Sequence, residues 1–329
     1  MGRPPLTFAA LLFFGLLLGC PIPAGAQTPS PLSDRPITFI VPFPPGGATD
    51  VIARLIAGPL GEALGAPVVV ENRAGAGGSV GTAAVARAAP DGRTLLMGTI
   101  ATHGIGPAIY SNLPYDAARD FIPVTQAASQ VYALVVPPSV PARSVPELVA
   151  LARQRPGTVT YASAGNGTAA HLFTELFRDQ AGITLTHVPY RGAGPQVTAT
   201  LAGEVSMTMD VVLTTLGHIR DGGLHALAVS GTSRSAVLPE VPTLAEAGLP
   251  GYDAVGWNGV FVPAGTSPVI VTKLADGIRA ALGRPGVRER VEQQGAEIIA
   301  STPQDFARFV TSELTRWRGV VSRTGARAE

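Results

Sequence analysis

Cysteine, lysine and charged side chains in general are scarce in this chain of 329 residues. Because Cys20 is the only cysteine, no disulfide can form within the chain. Charged residues make up 14% of the sequence, where about a quarter is usual, and the formal net charge is +1. Without a strong basic or acidic field, neither nucleic acid nor an anionic membrane surface is expected as a partner.

Signatures of catalysis and metal binding are also thin. Ser163 in YASAGNG and Ser230 in AVSGTS do not fit the G-x-S-x-G nucleophile elbow. The histidines are scattered without H-E-x-x-H spacing, so we expect no metal. Val269 stands four residues before Lys273, the only lysine, so the Tyr-x-x-x-Lys pair of short-chain dehydrogenases is missing. Val80 replaces the third glycine of a G-x-G-x-x-G turn, and we expect no cofactor.

The first 26 residues have the pattern of an export signal. Arg3 gives the positive start, 6–18 is an apolar run too short to span a bilayer, and Ala24-Gly25-Ala26 is a small-residue cleavage site. Leu17-Leu18-Gly19-Cys20 also resembles a lipobox, so lipid attachment at Cys20 is a second possibility. We expect an exported protein on either interpretation.

What the chain does have is a strand, a glycine-proline turn and a helix start in one piece, from 37 to 60. Prolines end the strand near Val41 because they remove ladder donors. Gly46 and Gly47 permit unusual torsions, and Gly47 or Thr49 can cap the helix that follows. Free amides at such a helix start favour an anion without lysine or arginine. An ordinary βα turn remains the alternative.

A similar unit lies in the second half of the chain, with a strand at 159–162, a loop at 163–168 and a helix through Phe177. From the first unit onward, the succession of strands and helices over 37–99 is typical of a parallel α/β sheet. The length of the chain suits two domains. We place one crossing between them near Val131 and the return near Trp257. Two helix starts would then face each other across a cleft.

Other candidates have two interpretations each. His171 either touches the ligand or fills a gap between helix and loop. Asp50 is a helix-start charge or a ligand contact, and Asp210 at a strand end is a candidate to orient a ligand donor or a water. Trp257 and Phe43 are either core residues or pocket walls. Three arginines would bind an acid or form structural ion pairs, namely Arg54, Arg73 and Arg191.

Several motifs in fixed order resemble the Bug-type solute receptors of tripartite tricarboxylate transporters. They are VPFPPGGATDVIAR, VVVENRAGAGGSVGT, PDGRTLL, YASAGNGTAAHLFTELF, HVPYRGAGP and PEVPTLAEAGLPGY followed by GWNGVFVPAG. The resemblance covers the chain from about Pro36 to the C-terminal helix. Gly106 stands where the family commonly has asparagine, and Arg93 where it has tyrosine, which leaves pocket details open.

The resemblance implies a type II periplasmic binding protein fold, with two α/β lobes joined by two crossing strands. The expected division is a signal peptide at 1–26, lobe 1 at 34–133 and 254–329, and lobe 2 at 134–253. It also implies a monomeric periplasmic receptor, not an enzyme, that passes a small mono-, di- or tricarboxylate to transporter membrane subunits. A secreted α/β hydrolase or dehydrogenase acting on a small acid is the alternative. The expected ligand-binding residues are Phe43, Gly46, Gly47, Ala48, Thr49, Asp50, Ser163, Gly165, Asn166, Gly167, Thr168, His171, Asp210 and Trp257.

Overall fold

The computed structural model describes residues 1–2, 32, 35–293 and 295–327. Residues 3–26 of the expected signal peptide, including its cleavage site and Cys20, lie outside the described residues. Within those residues, no helix combines the length and apolar character needed to cross a bilayer.

The strands of the described chain form two separate mixed sheets. The first has the order β11-β4-β10-β3-β1-β2 and the second the order β7-β6-β8-β5-β9. The strands are β1 (Ile37–Val41), β2 (Val68–Asn72), β3 (Thr94–Thr99), β4 (Phe121–Gln130), β5 (Tyr132–Val136), β6 (Thr160–Ser163), β7 (Thr186–Pro189), β8 (Met207–Val211), β9 (His225–Val229), β10 (Gly256–Pro263) and β11 (Ala296–Ile298).

Helices connect most of these strands, as expected for α/β units. They are α1 (Ala48–Leu64), α2 (Ser79–Ala86), α3 (Gly106–Ile109), α4 (Val145–Gln154), α5 (Ala169–Ala181), α6 (Ala193–Leu201), α7 (Val212–Arg220), α8 (Pro268–Gly283), α9 (Pro285–Glu292) and α10 (Pro303–Thr324). A short 3₁₀ turn at Ala76–Gly78 precedes α2, and a π-helical turn at Ala101–Ile105 precedes α3.

The parallel arrangement expected for the opening of the chain is confirmed. Strand β1 ends at Val41, as the prolines after it predict, and pairs in parallel with β2 and β3. Strand β10 runs antiparallel between β3 and β4. Strand β10 therefore returns the chain to the middle of the first sheet. The local sequence does not predict which strands it pairs with there.

The chain changes sheets twice. Gln130 ends β4 in the first sheet, and Tyr132 begins β5 in the second, where it pairs with Val211. The return runs from the second sheet into β10 at Gly256. Residues 132 and 133 thus pair in the second sheet, just before the boundary expected at 134. The fold is the expected pair of α/β lobes with two crossings.

One apolar cluster joins the lobes behind the crossings. Phe173 of α5 stacks on Trp317 of α10 with ring centroids 5.5 Å apart, and both side chains are fully buried. Helix α10 packs against β4 of the first lobe and α5 of the second, so its apolar stripe contacts both lobes. A second cluster fills the first lobe between β1, α1 and α8, with Phe39, Ile56 and Ile278 buried in it.

Candidate functional site

A cavity of about 1190 Å³ lies between the lobes. It is bordered by the loops that follow the strands of both sheets and by the residues at the crossings. The lining comprises 42–50, 74–78, 99–101, 164–166, 168–170 and 190–195, with Tyr110, Gln130, Tyr132, Val197, Thr198, Leu201, Asp210, Val211, Leu213, Thr214, His218, Trp257 and Asn258.

The first loop, from β1 to α1, is the glycine-proline turn expected from the sequence. Gly46 has a φ of 84°, a conformation that favours glycine, and Gly47 precedes the first residue of α1. No side chain at the start of α1 caps its first turn. The first amides of a helix lack intrahelical acceptors, so these amides are available to an anion at the cleft.

Asp50 holds this loop from within. Its carboxylate accepts hydrogen bonds from the amide of Gly46 at 3.0 Å, Arg54 Nε at 3.0 Å and Asn72 Nδ2 at 2.9 Å. Burial raises the pKa of Asp50, but the bonds from Arg54, Gly46 and Asn72 outweigh it and hold the pKa below its ordinary value. Asp50 borders the cleft, but its carboxylate is occupied by hydrogen bonds that stabilise the loop. This supports the interpretation of Asp50 as a helix-start charge.

The second loop, from β6 to α5, is fixed by hydroxyl groups. Thr168 Oγ1 donates to the carbonyl of Gly165 at 2.7 Å instead of capping α5. Ser163 is fully buried, accepts a hydrogen bond from the amide of Gly165 at 3.2 Å and lies 2.6 Å from His187 Nε2. Ser163 is absent from the cleft lining. In this structure Ser163 therefore supports the loop from behind, and its contact with a ligand stays a prediction.

Two stacked histidines lie behind the second loop. His171 and His187 have ring centroids 4.3 Å apart, and His171 Nδ1 accepts the amide of Gly167 at 3.2 Å. Burial lowers the pKa of His171 to about 3 and that of His187 to about 4, so both are neutral at physiological pH. Neither His171 nor Gly167 belongs to the lining. This supports the interpretation of His171 as a filler between helix and loop, and the ligand contacts of His171 and Gly167 stay predictions.

A third helix start borders the cleft and was missed by the sequence analysis. Gly192, with a φ of 110°, precedes α6, and no side chain caps that helix. The amides of Tyr190 and Gly192 donate to the carbonyls of Ser163 and Ala164 at 2.9 and 3.1 Å. The second and third loops are thus one unit. The motif HVPYRGAGP was a signal for this loop, but its helix start was not recognised.

Three helices that begin away from the cleft have a side-chain cap, although α9, which also begins away from it, does not. Helices α4, α8 and α10 have Ser144, Ser267 and Thr302 at their starts, and each hydroxyl accepts a backbone amide of the first turn. Helices α1, α5 and α6 begin at the cleft without a side-chain cap. The amides that a protein normally satisfies with its own side chains are thus left for another partner at this site.

Asp210 forms part of the wall in the second lobe. Its carboxylate accepts the amide of Val211 at 2.8 Å and the hydroxyl of Thr214 at 3.0 Å. Burial raises the pKa of Asp210 to about 6, although these two bonds oppose the shift. The side chain is 4% exposed and borders the cavity.

At the return crossing, Trp257 is both a core residue and a wall of the cleft. Its ring is 2% exposed, and its Nε1 donates to Glu313 at 3.0 Å. The other tryptophan, Trp317, donates to the same carboxylate oxygen at 3.1 Å. Glu313 therefore ties the crossing strand to α10.

The structure brings most expected residues together on one surface. Those in the lining are Phe43, Gly46, Gly47, Ala48, Thr49, Asp50, Gly165, Asn166, Thr168, Asp210 and Trp257. Of the three candidate arginines, Arg54 pairs with Asp50 and Arg73 with Glu71, while Arg191 borders the cleft. Besides the third loop, the unexpected lining residues include Tyr110, Gln130, Tyr132 and Asn258.

One further correction concerns the nucleophile elbow. The pattern G-x-S-x-G does occur, at 77–81 around Ser79. Ser79 is 8% exposed, is the first residue of α2 and is absent from the cleft lining. Among the described residues, no group of three or more His, Cys, Asp or Glu side chains is placed to hold a metal ion.

Comparison with solved structures first defines the class of protein. The periplasmic binding protein BugD aligns with a TM-score of 0.84 at 31% identity, over 89% of this chain and 99% of its own length. An R. palustris protein solved with adipate aligns with a TM-score of 0.86 at 38% identity, over 89% of this chain and 98% of its own. The fold is that of periplasmic solute-binding proteins.

The family follows from the sequence matches. The model of the tripartite tricarboxylate transporter family receptor matches residues 52–326. Protein BugT of Bordetella pertussis is 41% identical over 320 residues, which cover 97% of each chain. The chain belongs to the tripartite tricarboxylate transporter receptor family, as its motifs indicate.

Proposed function

We propose that this protein is an exported receptor that binds a small carboxylate between its two lobes and delivers it to the membrane subunits of a tripartite tricarboxylate-type transporter. The single observation that carries the proposal is the convergence of α1, α5 and α6 on the cleft without side-chain caps. Helix amides and the helix dipole favour an anion at that position.

The ligand class is supported by a relative, and the way the ligand is held by the absence of cationic side chains from the first and second loops. The R. palustris relative was solved with adipate, a dicarboxylate. The segments 43–51 and 161–170 contain neither lysine nor arginine. Amide hydrogen bonds to a carboxylate are charge-assisted and do not need a cationic side chain. Arg191 at the third loop is then a secondary contact.

The proposal also includes the absence of catalysis, the oligomeric state, the location and the bounds of the lobes. It performs no chemistry, works as a monomer in the periplasm without metal or cofactor, and consists of lobe 1 at 34–133 and 254–329 and lobe 2 at 134–253. Its ligand contacts are the expected residues that border the cleft, together with the third loop. Ser163, Gly167 and His171 support the second loop from behind.

Thermal unfolding with a panel of acids tests this function. The panel holds mono-, di- and tricarboxylates, including adipate, with NAD as a cofactor control. We expect at least one acid to raise the melting temperature, because a ligand that binds only the folded state stabilises it. Titration calorimetry then gives the affinity. Stabilisation by NAD and by none of the acids would refute the receptor proposal.

A further inference from the structure

Three buried polar atoms without a hydrogen-bond partner in the described part of the chain lie together at the cleft. They are Thr99 Oγ1, Gln130 Nε2 and Asn258 Oδ1. The three residues are 6%, 4% and 1% exposed, and all border the cavity. The other such atoms in the described chain belong to residues outside the cleft lining. Buried polar atoms are normally satisfied, so this cluster requires an explanation.

The sheet places these side chains on one face. In the sheet order, β10 lies between β4 and β3. Asn258 is directly opposite Thr99, and Gly256 is directly opposite Gln130. Opposite residues in an antiparallel pair share a face, and so do residues two apart along a strand. Thr99, Gln130 and Asn258 therefore form a polar floor beneath the cleft, which we name the strand floor.

The strand floor is linked to the first helix start. Asn258 Nδ2 donates to Thr49 Oγ1 at 3.1 Å, which orients the amide so that Oδ1 is the atom left unpaired. Thr49 is the second residue of α1. A carboxylate held at the start of α1 would thus have its neighbouring atoms close to Asn258.

The chemistry of the strand floor selects a neutral group. Asn258 Oδ1 requires a donor, Gln130 Nε2 requires an acceptor, and the Thr99 hydroxyl can do either. A hydroxyl satisfies both demands, whereas a methylene satisfies neither. An ionised second carboxylate has no donor for the oxygen of Asn258 and would leave that atom unpaired.

We propose that Thr99, Gln130 and Asn258 form a subsite for a hydroxyl group that the bound acid carries next to its carboxylate. This inference rests on the proposed function and narrows it to hydroxylated carboxylates. An acid without the hydroxyl leaves the buried atoms unpaired. We therefore expect it to bind roughly ten- to hundredfold more weakly, since unpaired buried donors and acceptors are costly.

The experiment compares acids that differ by one hydroxyl. The pairs are lactate and propionate, malate and succinate, and citrate and tricarballylate, each titrated by calorimetry. Gln130→Met removes the donor while keeping the length of the side chain. Gln126→Met is the matched control, because Gln126 lies on the same strand, is 8% exposed and does not border the cleft.

The expected result is a preference for the hydroxylated member in the pair that binds best, reduced in Gln130→Met and retained in Gln126→Met. Equal or better binding of the acids without the hydroxyl would overturn the subsite and leave the receptor function intact. So would an unchanged preference in Gln130→Met. If the wild type binds none of these acids and none of the wider panel, the carboxylate receptor function fails, and the subsite fails with it.

Discussion

Tyr110 makes a hydrogen bond from one lobe to the other, and its removal should change ligand affinity. Tyr110 follows α3, and its hydroxyl donates to the carbonyl of Asn166 at 2.7 Å. Glycines make room for the ring, because a Cβ on Gly77 would lie 2.7 Å from the hydroxyl and one on Gly167 would lie 2.8 Å from it. Because the bond joins the two lobes, separation of the lobes would break it, and we expect it to stabilise the closed form.

The magnitude follows from deleting this single oxygen. Burial raises the pKa of Tyr110, so the hydroxyl remains a protonated donor at neutral pH. A neutral hydrogen bond contributes about 0.5 to 1.5 kcal/mol net, and in Tyr110→Phe the carbonyl of Asn166 recovers water when the cleft opens. The dissociation constant should therefore rise roughly two- to tenfold. Most of the change should appear in the dissociation rate, because the bond forms after the ligand has entered.

Stopped-flow tryptophan fluorescence measures both rates, with Trp257 in the cleft wall as a reporter. The ligand is the acid that stabilises the wild type most. Tyr252→Phe is the matched control, since the hydroxyl of Tyr252 donates to the carbonyl of Phe173 at 2.8 Å within the second lobe. The control should lower the melting temperature and keep the affinity. Equal dissociation rates in Tyr110→Phe and wild type would refute the reasoning, as would equal losses in both variants.

Two further predictions concern buried carboxylates. Glu313→Ala should destabilise the fold by roughly 2 to 4 kcal/mol, because two buried indole N–H groups lose their acceptor. Thermal or denaturant unfolding followed by circular dichroism measures this loss. Glu313→Gln keeps an acceptor and should lose less stability, and equal losses in the two variants would contradict this account. Asp210 has a pKa raised from 3.8 to about 6, so the folded state favours its protonated form, and its contribution to stability falls as pH rises from about 4 to 6. The free energy of unfolding of Asp210→Asn relative to the wild type should therefore increase by about 1 to 3 kcal/mol between pH 4 and pH 8. Melting curves across that range measure this difference, and a difference independent of pH would rule out this titration.

The sequence predicted the parts of the site that are encoded locally. Prolines after Val41 end a strand, glycines at 46 and 47 allow the turn, and apolar positions spaced for a helix follow. The same signals recur at β6 and α5. Since each unit is continuous in the chain, its strand, loop and helix start could be recognised without knowledge of the tertiary fold.

The direction of individual side chains could not be predicted in the same way. Ser163 stands in a loop rich in glycine and hydroxyl residues, which made it a good candidate for ligand contact. As the last residue of β6 it faces the buried side, toward His187. Which face a strand residue occupies depends on the register with neighbouring strands, and a single sequence does not show that register.

The strand floor could not be predicted from the sequence for a related reason. Thr99, Gln130 and Asn258 come from β3, β4 and β10, which are distant in the chain and adjacent only in the sheet. Each is an ordinary polar residue of a strand when considered alone. Only the pairing of β10 with both neighbours shows that their unpaired atoms lie on one face.

The division of the helix starts between the lobes links binding to closure. Helix α1 belongs to the first lobe, while α5 and α6 belong to the second. The charge of Arg54 is engaged by Asp50, so in the first loop a bound acid would meet partial charges of helix amides. Such interactions are short in range, and each lobe alone supplies only part of them. A ligand held this way favours the closed form because only that form presents both sets of amides, and opening the cleft weakens the hold and provides a route for release.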